Sequence, residues 1–233
     1  MPDRVKQFVR RLGRTGVGKN LIHASVLRDP STMRFPNVEQ WPPDVRGFED
    51  LAFLFSGNQL NHGIASLQID EAALLYRVAR DAGPGTLAEI GRFRGGSTVI
   101  TSAAMDAAAE LWSYDLSSAF DAQLDDALRR LGLRDRVRLV VGDSKTVELP
   151  PAPLRALFVD GDHEYDGARA DYLRWRGLVA PGGSLIFHDA VDTGSYGNTY
   201  PGITRLVGEI ERDDRDFERL PGAGSIAHFV RRG

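Results

Sequence analysis

Two segments carry side chains suited to proton and metal chemistry: Phe158-Val159-Asp160-Gly161-Asp162-His163-Glu164-Tyr165 and Ile186-Phe187-His188-Asp189. In each, an apolar run that reads as a strand ends in an acid, and the second ends in a His-Asp pair. Carboxylates at neighbouring strand ends offer hard oxygen ligands of the kind Mg²⁺ takes. An imidazole such as His188 in the set suits Mn²⁺, Fe²⁺ or Zn²⁺ better. His163, three residues past Asp160, is placed to take a proton near neutral pH. An EF-hand is excluded, because Tyr165 stands where the loop needs glycine and Asp171 where it needs the final Glu. Glu164 and Asp166 read as first-turn acids of the following helix, favoured there by its dipole.

A third segment, Glu89-Ile90-Gly91-Arg92-Phe93-Arg94-Gly95-Gly96-Ser97-Thr98, runs from a strand through glycines into a helix. Glycines let backbone approach a ligand, and a helix start offers unpaired N–H groups. A phosphate loop would need Lys after Gly96, where Ser97 stands. The dinucleotide fingerprint needs glycine at Phe93. A third reading, beside an ordinary tight turn between strand and helix, is an acid-x-G-x-x-x-G loop suited to S-adenosylmethionine, whose cationic sulfonium and amino groups Glu89 would favour, with Gly91, Gly95 and Ser97 lining the turn. Asp115, after the next strand, can accept ribose hydroxyls. Asp143-Ser144, after the third, can meet the adenine edge; Asp143 is equally suited to cap a helix.

These residues are positioned by a regular alternation. Thr86–Ile90, Leu111–Tyr114, Val137–Val141, Leu154–Val159 and Ser184–Phe187 read as strands. Ile69–Asp81, Ser97–Ala109, Phe120–Leu131, Ala168–Leu178 and Ile203–Arg212 read as helices. Pro181-Gly182-Gly183 reads as a turn, and Phe217–Leu220 and Ser225–Val230 as two closing strands. Such alternation predicts an α/β, doubly wound, mostly parallel sheet whose ligands bind beyond the carboxyl ends of the strands. Residues 1–65 differ, with turn clusters and scattered aromatics. They read as an accessory segment, followed by a ligand-binding domain over 66–233. Trp41, Phe35 and His62 are candidates to close the cleft, and the aromatics of this segment are candidates for a homodimer contact.

The motifs LAEIGRFRGGST, FVDGDHEYDGARADY and PGGSLIFHDA together resemble class I S-adenosylmethionine-dependent methyltransferases. More narrowly, they resemble the small-molecule O-methyltransferases, which include catechol and caffeoyl-CoA enzymes and macrocin-type enzymes that methylate sugar hydroxyls. The resemblance spans about residues 66–190. It implies a Rossmann-like, seven-stranded sheet ending in an antiparallel hairpin. Glu89 and Gly91 match the methionine-end loop, Asp115 the ribose acid and Asp143-Ser144 the adenine side. Asp160 matches the first metal carboxylate and also borders the cofactor, and the second metal pair falls on His188-Asp189. The lysine base of the catechol enzymes falls on His163. In this chain His188-Asp189 replaces the Asp-Asn, Asp-Asp or Glu-Asp of those relatives. The implied cofactors are S-adenosylmethionine and Mg²⁺ or Mn²⁺. The implied acceptor is a small-molecule hydroxyl, for which the polar, aromatic stretch Asp189–Tyr200 favours a saccharide, with Tyr196 and Tyr200 facing it.

Composition bounds these readings. The 233 residues carry 29 Lys+Arg against 32 Asp+Glu and no Cys. Disulfides, thiolate metal sites and cysteine nucleophiles are excluded. A net charge of −3 argues against a dedicated nucleic-acid binder. No apolar run approaches the ~20 residues of a membrane span, so a cytoplasmic protein is expected. A basic amphipathic helix near the start (Arg4, Lys6, Arg10, Arg11, with Val5, Phe8, Val9, Leu12) can pack on its own domain or lie on an acidic surface. Two other function classes fit the same pattern: a nicotinamide-dependent oxidoreductase and a non-catalytic binding module.

Overall fold

The computed structural model describes residue 42 and residues 44–55, 64–192 and 200–233. All belong to the compact unit Pro36–Gly233. A 3₁₀ helix, Phe48–Phe55, comes first. The alternating part then runs α1 (Ile69–Asp81), β1 (Thr86–Ile90), α2 (Gly96–Ala104), β2 (Glu110–Asp115), α3 (Asp121–Arg130), β3 (Val137–Val141), β4 (Leu154–Val159), α4 (Tyr165–Trp175) and β5 (Val179–Phe187). It closes with α5 (Pro201–Asp213), β6 (Phe217–Leu220) and β7 (Ala227–Arg231).

The strands form one seven-stranded sheet in the order β3-β2-β1-β4-β5-β7-β6. β1 to β5 pair in parallel, and β7 pairs antiparallel with both β5 and β6. This is the doubly wound sheet with a closing hairpin that the sequence predicts. The central strands are apolar because both faces are covered: all five residues of β1 are buried, and Leu157, Leu185, Ile186 and Phe187 are inaccessible to solvent. The helices present apolar stripes to it. Ile203, Leu206, Val207 and Ile210 form the buried face of α5, whose first residue is the favoured Pro201.

Two elements differ from expectation. Helix α2 ends at Ala104 and not Ala109, because Asp106 begins a turn: its carboxylate accepts the Ala108 N–H (2.8 Å) and its carbonyl the Ala109 N–H (3.0 Å). Pro181-Gly182-Gly183 lies within β5 and is not a turn outside it. The pairing of β4 with β5 slips between Leu154 and Ala156 to accommodate these residues.

The strand order reverses between β1 and β4, and an open α/β sheet binds ligands at such a switch point. There the backbone ladder continues one residue past the strands. The Asp160 N–H donates to Ile90 O (2.8 Å), the His188 N–H to Val159 O (3.0 Å) and the Gly91 N–H to Tyr114 O (2.8 Å). Gly91, Asp160 and His188 are thereby aligned along one sheet edge. Among the described residues, no helix is long and apolar enough to cross a membrane.

Candidate active site

The glycine loop is held from below. Gly91 has φ +85°, and a Cβ on it would fall 2.1 Å from the carbonyl oxygen of Asp160, so only glycine lets β1 and β4 run this close at their ends. Gly95 likewise has φ +84° and lies against Leu124. Between them, the backbone N–H groups of Arg92 and Phe93 donate to Asp115 Oδ2 (3.0 and 2.8 Å), and the Ser117 N–H donates to Oδ1 (2.8 Å). Three of the roughly four acceptor positions of the Asp115 carboxylate are therefore taken by the protein. The expectation that it receives both ribose hydroxyls narrows to one.

Glu89 does not face the crevice. It is 1% exposed and accepts the hydroxyls of Ser97, Thr98 (2.6 Å) and Ser113 (2.6 Å). Burial raises its pKa above the usual range against the pull of those hydroxyls. Its carboxylate, and with it the Ser97 side chain, ties β1 to α2 and β2 and shapes the loop from behind. The Asp143 carboxylate accepts the Lys145 N–H (2.9 Å) and so caps a single turn. The Ser144 hydroxyl donates to buried Asp171 (2.5 Å), and the Ser144 carbonyl accepts the Trp175 indole N–H (2.9 Å). The Ser144 side chain is therefore engaged by α4.

Sequence reasoning missed three features here. Arg92 looks like a filler position in the loop motif, yet its side chain is fully buried. It donates twice to Asp121 (2.8 and 2.6 Å) and once each to the Ser113 and Val140 carbonyls (3.1 and 2.8 Å). Leu116 and Val141 are exposed by 75% and 51%, beside Asp115 at the ends of β2 and β3. Exposed apolar side chains just past two strand ends were the available signal for an apolar ligand face. The third is Glu71, on α1.

Asp160, His163 and Asp189 bring one ligand atom each to within 4.8 Å of one another. The His163 Nε2 stands 3.5 Å from Asp160 Oδ1 and 3.4 Å from Asp189 Oδ2, at ion-pair distance. It is buried and makes no hydrogen bond. A buried imidazole nitrogen between two carboxylates can carry a proton facing them or, deprotonated, offer its lone pair to a cation held there. His188 is arranged differently from expectation. Its Nδ1 lies 3.2 Å from Asp160 Oδ1 and its Nε2 3.2 Å from Glu71 Oε2. With a carboxylate on each nitrogen, the ring donates on both sides and has no lone pair for a metal. The third donor that geometry offers beside Asp160 and Asp189 is His163.

Charge follows from this packing. Burial lowers the His163 pKa, but Asp160 and Asp189 outweigh it and raise it to about 9. Burial likewise opposes, and the same acids plus Glu71 overcome, the His188 shift to well above the ordinary range. Asp160 and Asp189 are held below the usual carboxylate range despite burial. One prediction concerns the cation-free protein. A histidine whose pKa is raised on folding stabilises fully below the unfolded value of ~6.5 and loses that contribution as pH rises through the folded value. Thermal unfolding followed in chelator from pH 6 to 10 is expected to show the His163 contribution falling from about pH 6.5 and gone by about pH 9. His163→Gln should flatten that decline; an unchanged decline would remove His163 as its source.

Of the acceptor candidates, the Tyr200 ring lies against that of His163, with centroids 4.3 Å apart, and is 37% exposed. Tyr196, Trp41, Phe35, His62 and the basic N-terminal helix lie outside the described residues, as does most of the segment expected to form a dimer contact.

A switch-point crevice with a glycine loop, a ribose-side acid and an acidic cluster on β4 and β5 defines the Rossmann-like class I methyltransferase fold. Residues 88–190 match a family described as a methyltransferase domain. The matched stretch holds the glycine loop, Asp115, Asp160 and Asp189. The match weighs against the nicotinamide-dependent oxidoreductase reading. Solved structures agree on the fold. The O-methyltransferase TomG from Streptomyces achromogenes, involved in tomaymycin synthesis and in complex with SAM, is 19% identical with a TM-score of 0.59, over 84% of this chain and 99% of that one. An O-methyltransferase from Bacillus cereus in complex with SAH is 19% identical with a TM-score of 0.57, over 90% and 100%. The SAH-bound methyltransferase PaMTH1 from Podospora anserina is 19% identical with a TM-score of 0.59, over 73% and 81%.

Proposed function

We propose that the protein transfers methyl groups to a hydroxyl oxygen of a saccharide or glycosylated metabolite, with a divalent cation, Mg²⁺ or Mn²⁺, assisting. The observation that carries this reading is the convergence of Asp160, His163 and Asp189 beside the glycine loop. When bound, S-adenosylmethionine supplies an electrophilic methyl group, and the cation supplies positive charge that favours a deprotonated hydroxyl.

The chain's own residues do the rest. Asp115 accepts one ribose hydroxyl, and Leu116 and Val141 give the adenine an apolar face. Asp160 and Asp189 would hold the cation. His163 takes the hydroxyl proton at Nε2, and the exposed part of the Tyr200 ring beside it offers a flat face to a sugar or aromatic ring. Without a cation, the two carboxylates keep His163 protonated and unable to act as a base. With a cation held by the two carboxylates, their pull on His163 would be weaker and its Nε2 able to accept a proton. Alignment of the hydroxyl with the methyl group supplies much of the rate.

The orphaned Nε2 also favours a second reading, in which His163 is the third cation ligand. Calorimetric titration of chelator-treated protein with S-adenosylhomocysteine, with NADH as control, and with Mn²⁺ or Mg²⁺ tests both. His163→Ala should keep the cation heat and lose turnover if His163 is the base, and lose both if it is a ligand. A panel of glycosides and catechols then tests the acceptor; turnover of catechols alone would overturn the saccharide assignment. No heat with S-adenosylhomocysteine would count against the whole reading.

A further inference from the structure

Glu71 lies on α1, outside the matched domain, yet it is 2% exposed and points into the acidic cluster. Its Oε2 accepts the Gln68 N–H (2.7 Å) and meets His188 Nε2 (3.2 Å). Its Oε1 accepts both the N–H (2.7 Å) and the hydroxyl (2.8 Å) of Ser225, in the turn between β6 and β7. Ser225 in turn accepts the Asp189 N–H at its Oγ (3.2 Å), and its carbonyl accepts the N–H groups of Ala190 and Val191 (2.9 and 3.0 Å). Gly224 leaves just enough room: a Cβ there would fall 2.4 Å from Glu71 Oε1. Asp189 sits at φ +53°, a conformation that a non-glycine residue holds only when its surroundings impose it.

The geometry points to Glu71 as a positioning residue that, with Ser225, sets the two cation-binding carboxylates. Through His188 it fixes Asp160 from one side, and through Ser225 it holds Asp189 in its strained conformation from the other. The arrangement has a physical reason. Asp160 and Asp189 repel each other, and the doubly donating His188 ring lies behind both, 3.2 Å from one and 3.5 Å from the other. A second carboxylate behind the ring keeps that cation in place and its orientation single. Burial alone would raise the Glu71 pKa, yet His188 and the backbone donors of Gln68 and Ser225 hold it at about 2, so the anchor stays charged.

This inference rests on the proposed cation site, and its test separates the two. Mn²⁺ alone, titrated into the full chain, is expected to bind about 10–100-fold more weakly to Glu71→Gln, the usual effect of losing a partner behind a metal ligand. A smaller loss is expected for Ser225→Ala. S-adenosylhomocysteine affinity should change less than about threefold, because Asp115 and Leu116 stand on the other side of β1. Unchanged Mn²⁺ affinity in a folded Glu71→Gln would overturn the inference. So would a parallel loss of Mn²⁺ and S-adenosylhomocysteine affinity with a fall in Tm, which would mark a purely structural role. If the wild type binds no Mn²⁺, the cation reading fails and ring ¹⁵N resonances of His188 and His163 decide at a single pH. Both should shift in Glu71→Gln, and unmoved resonances would overturn the positioning role.

Discussion

Asp160→Asn is expected to lower turnover by about 10²–10³-fold, the scale on which one charge placed at a reacting centre is felt, while the fold and the binding of S-adenosylhomocysteine persist. The substitution keeps side-chain volume and leaves intact the backbone bond from the Asp160 N–H to Ile90 O. It removes one of the two carboxylates that touch both histidines, 3.2 Å from His188 and 3.5 Å from His163, and leaves Asp189 at 3.5 and 3.4 Å. The cation then has one carboxylate and not two, and the histidines lose much of the pull that raises their pKa. Mn²⁺ affinity should fall with turnover, and the pH by which cation-free protein has lost the histidines' stabilising contribution should move down. Turnover within fivefold of wild type would remove Asp160 from the reaction.

Arg92→Met is expected to have the largest effect on stability, about 3–5 kcal/mol, because it leaves a partly buried carboxylate and two carbonyls without their donor. For a chain of this size that corresponds to a fall in Tm on the order of 10 °C. The guanidinium joins the start of α3, through Asp121, to the carbonyls of Ser113 on β2 and Val140 on β3. It does so directly beneath the loop whose N–H groups hold Asp115. S-adenosylhomocysteine affinity should therefore fall as well. The double variant Arg92→Met with Asp121→Leu should cost less than the sum of the two single changes, since it leaves no uncompensated charge. Urea unfolding of the four proteins measures this; additive losses would mean that the pair is not the source.

The sheet and its ligand edge were legible because most of the parallel strands are apolar runs that stop at an acid or glycine: Ile90 at Gly91, Tyr114 at Asp115, Val159 at Asp160. Period and punctuation suffice to place such residues at one edge. They do not say which way a side chain turns. Glu89 has the spacing of a ligand-facing acid, but three hydroxyls drawn from α2 and β2 turn it inward. His163 and His188 both sit at the right edge, and only packing against Glu71 shows that His188 is occupied on both nitrogens. Glu71 itself was illegible. In sequence it is a first-turn acid of α1, where the helix dipole explains it fully, and its partner Ser225 lies 154 residues away.

That separation bears on how the protein assembles. The parallel strands β1, β4 and β5 can pair, and the glycine loop can form, before the closing hairpin is in place. The contacts from Glu71 to His188 and to Ser225 bridge 117 and 154 residues, and loops of that length close late because their entropy must be overcome first. The acidic cluster is thus expected to reach its working shape in the last stage of folding, when β7 slots between β5 and β6. A chain halted just short of that step would hold its methyl donor's crevice while its chemistry stayed switched off.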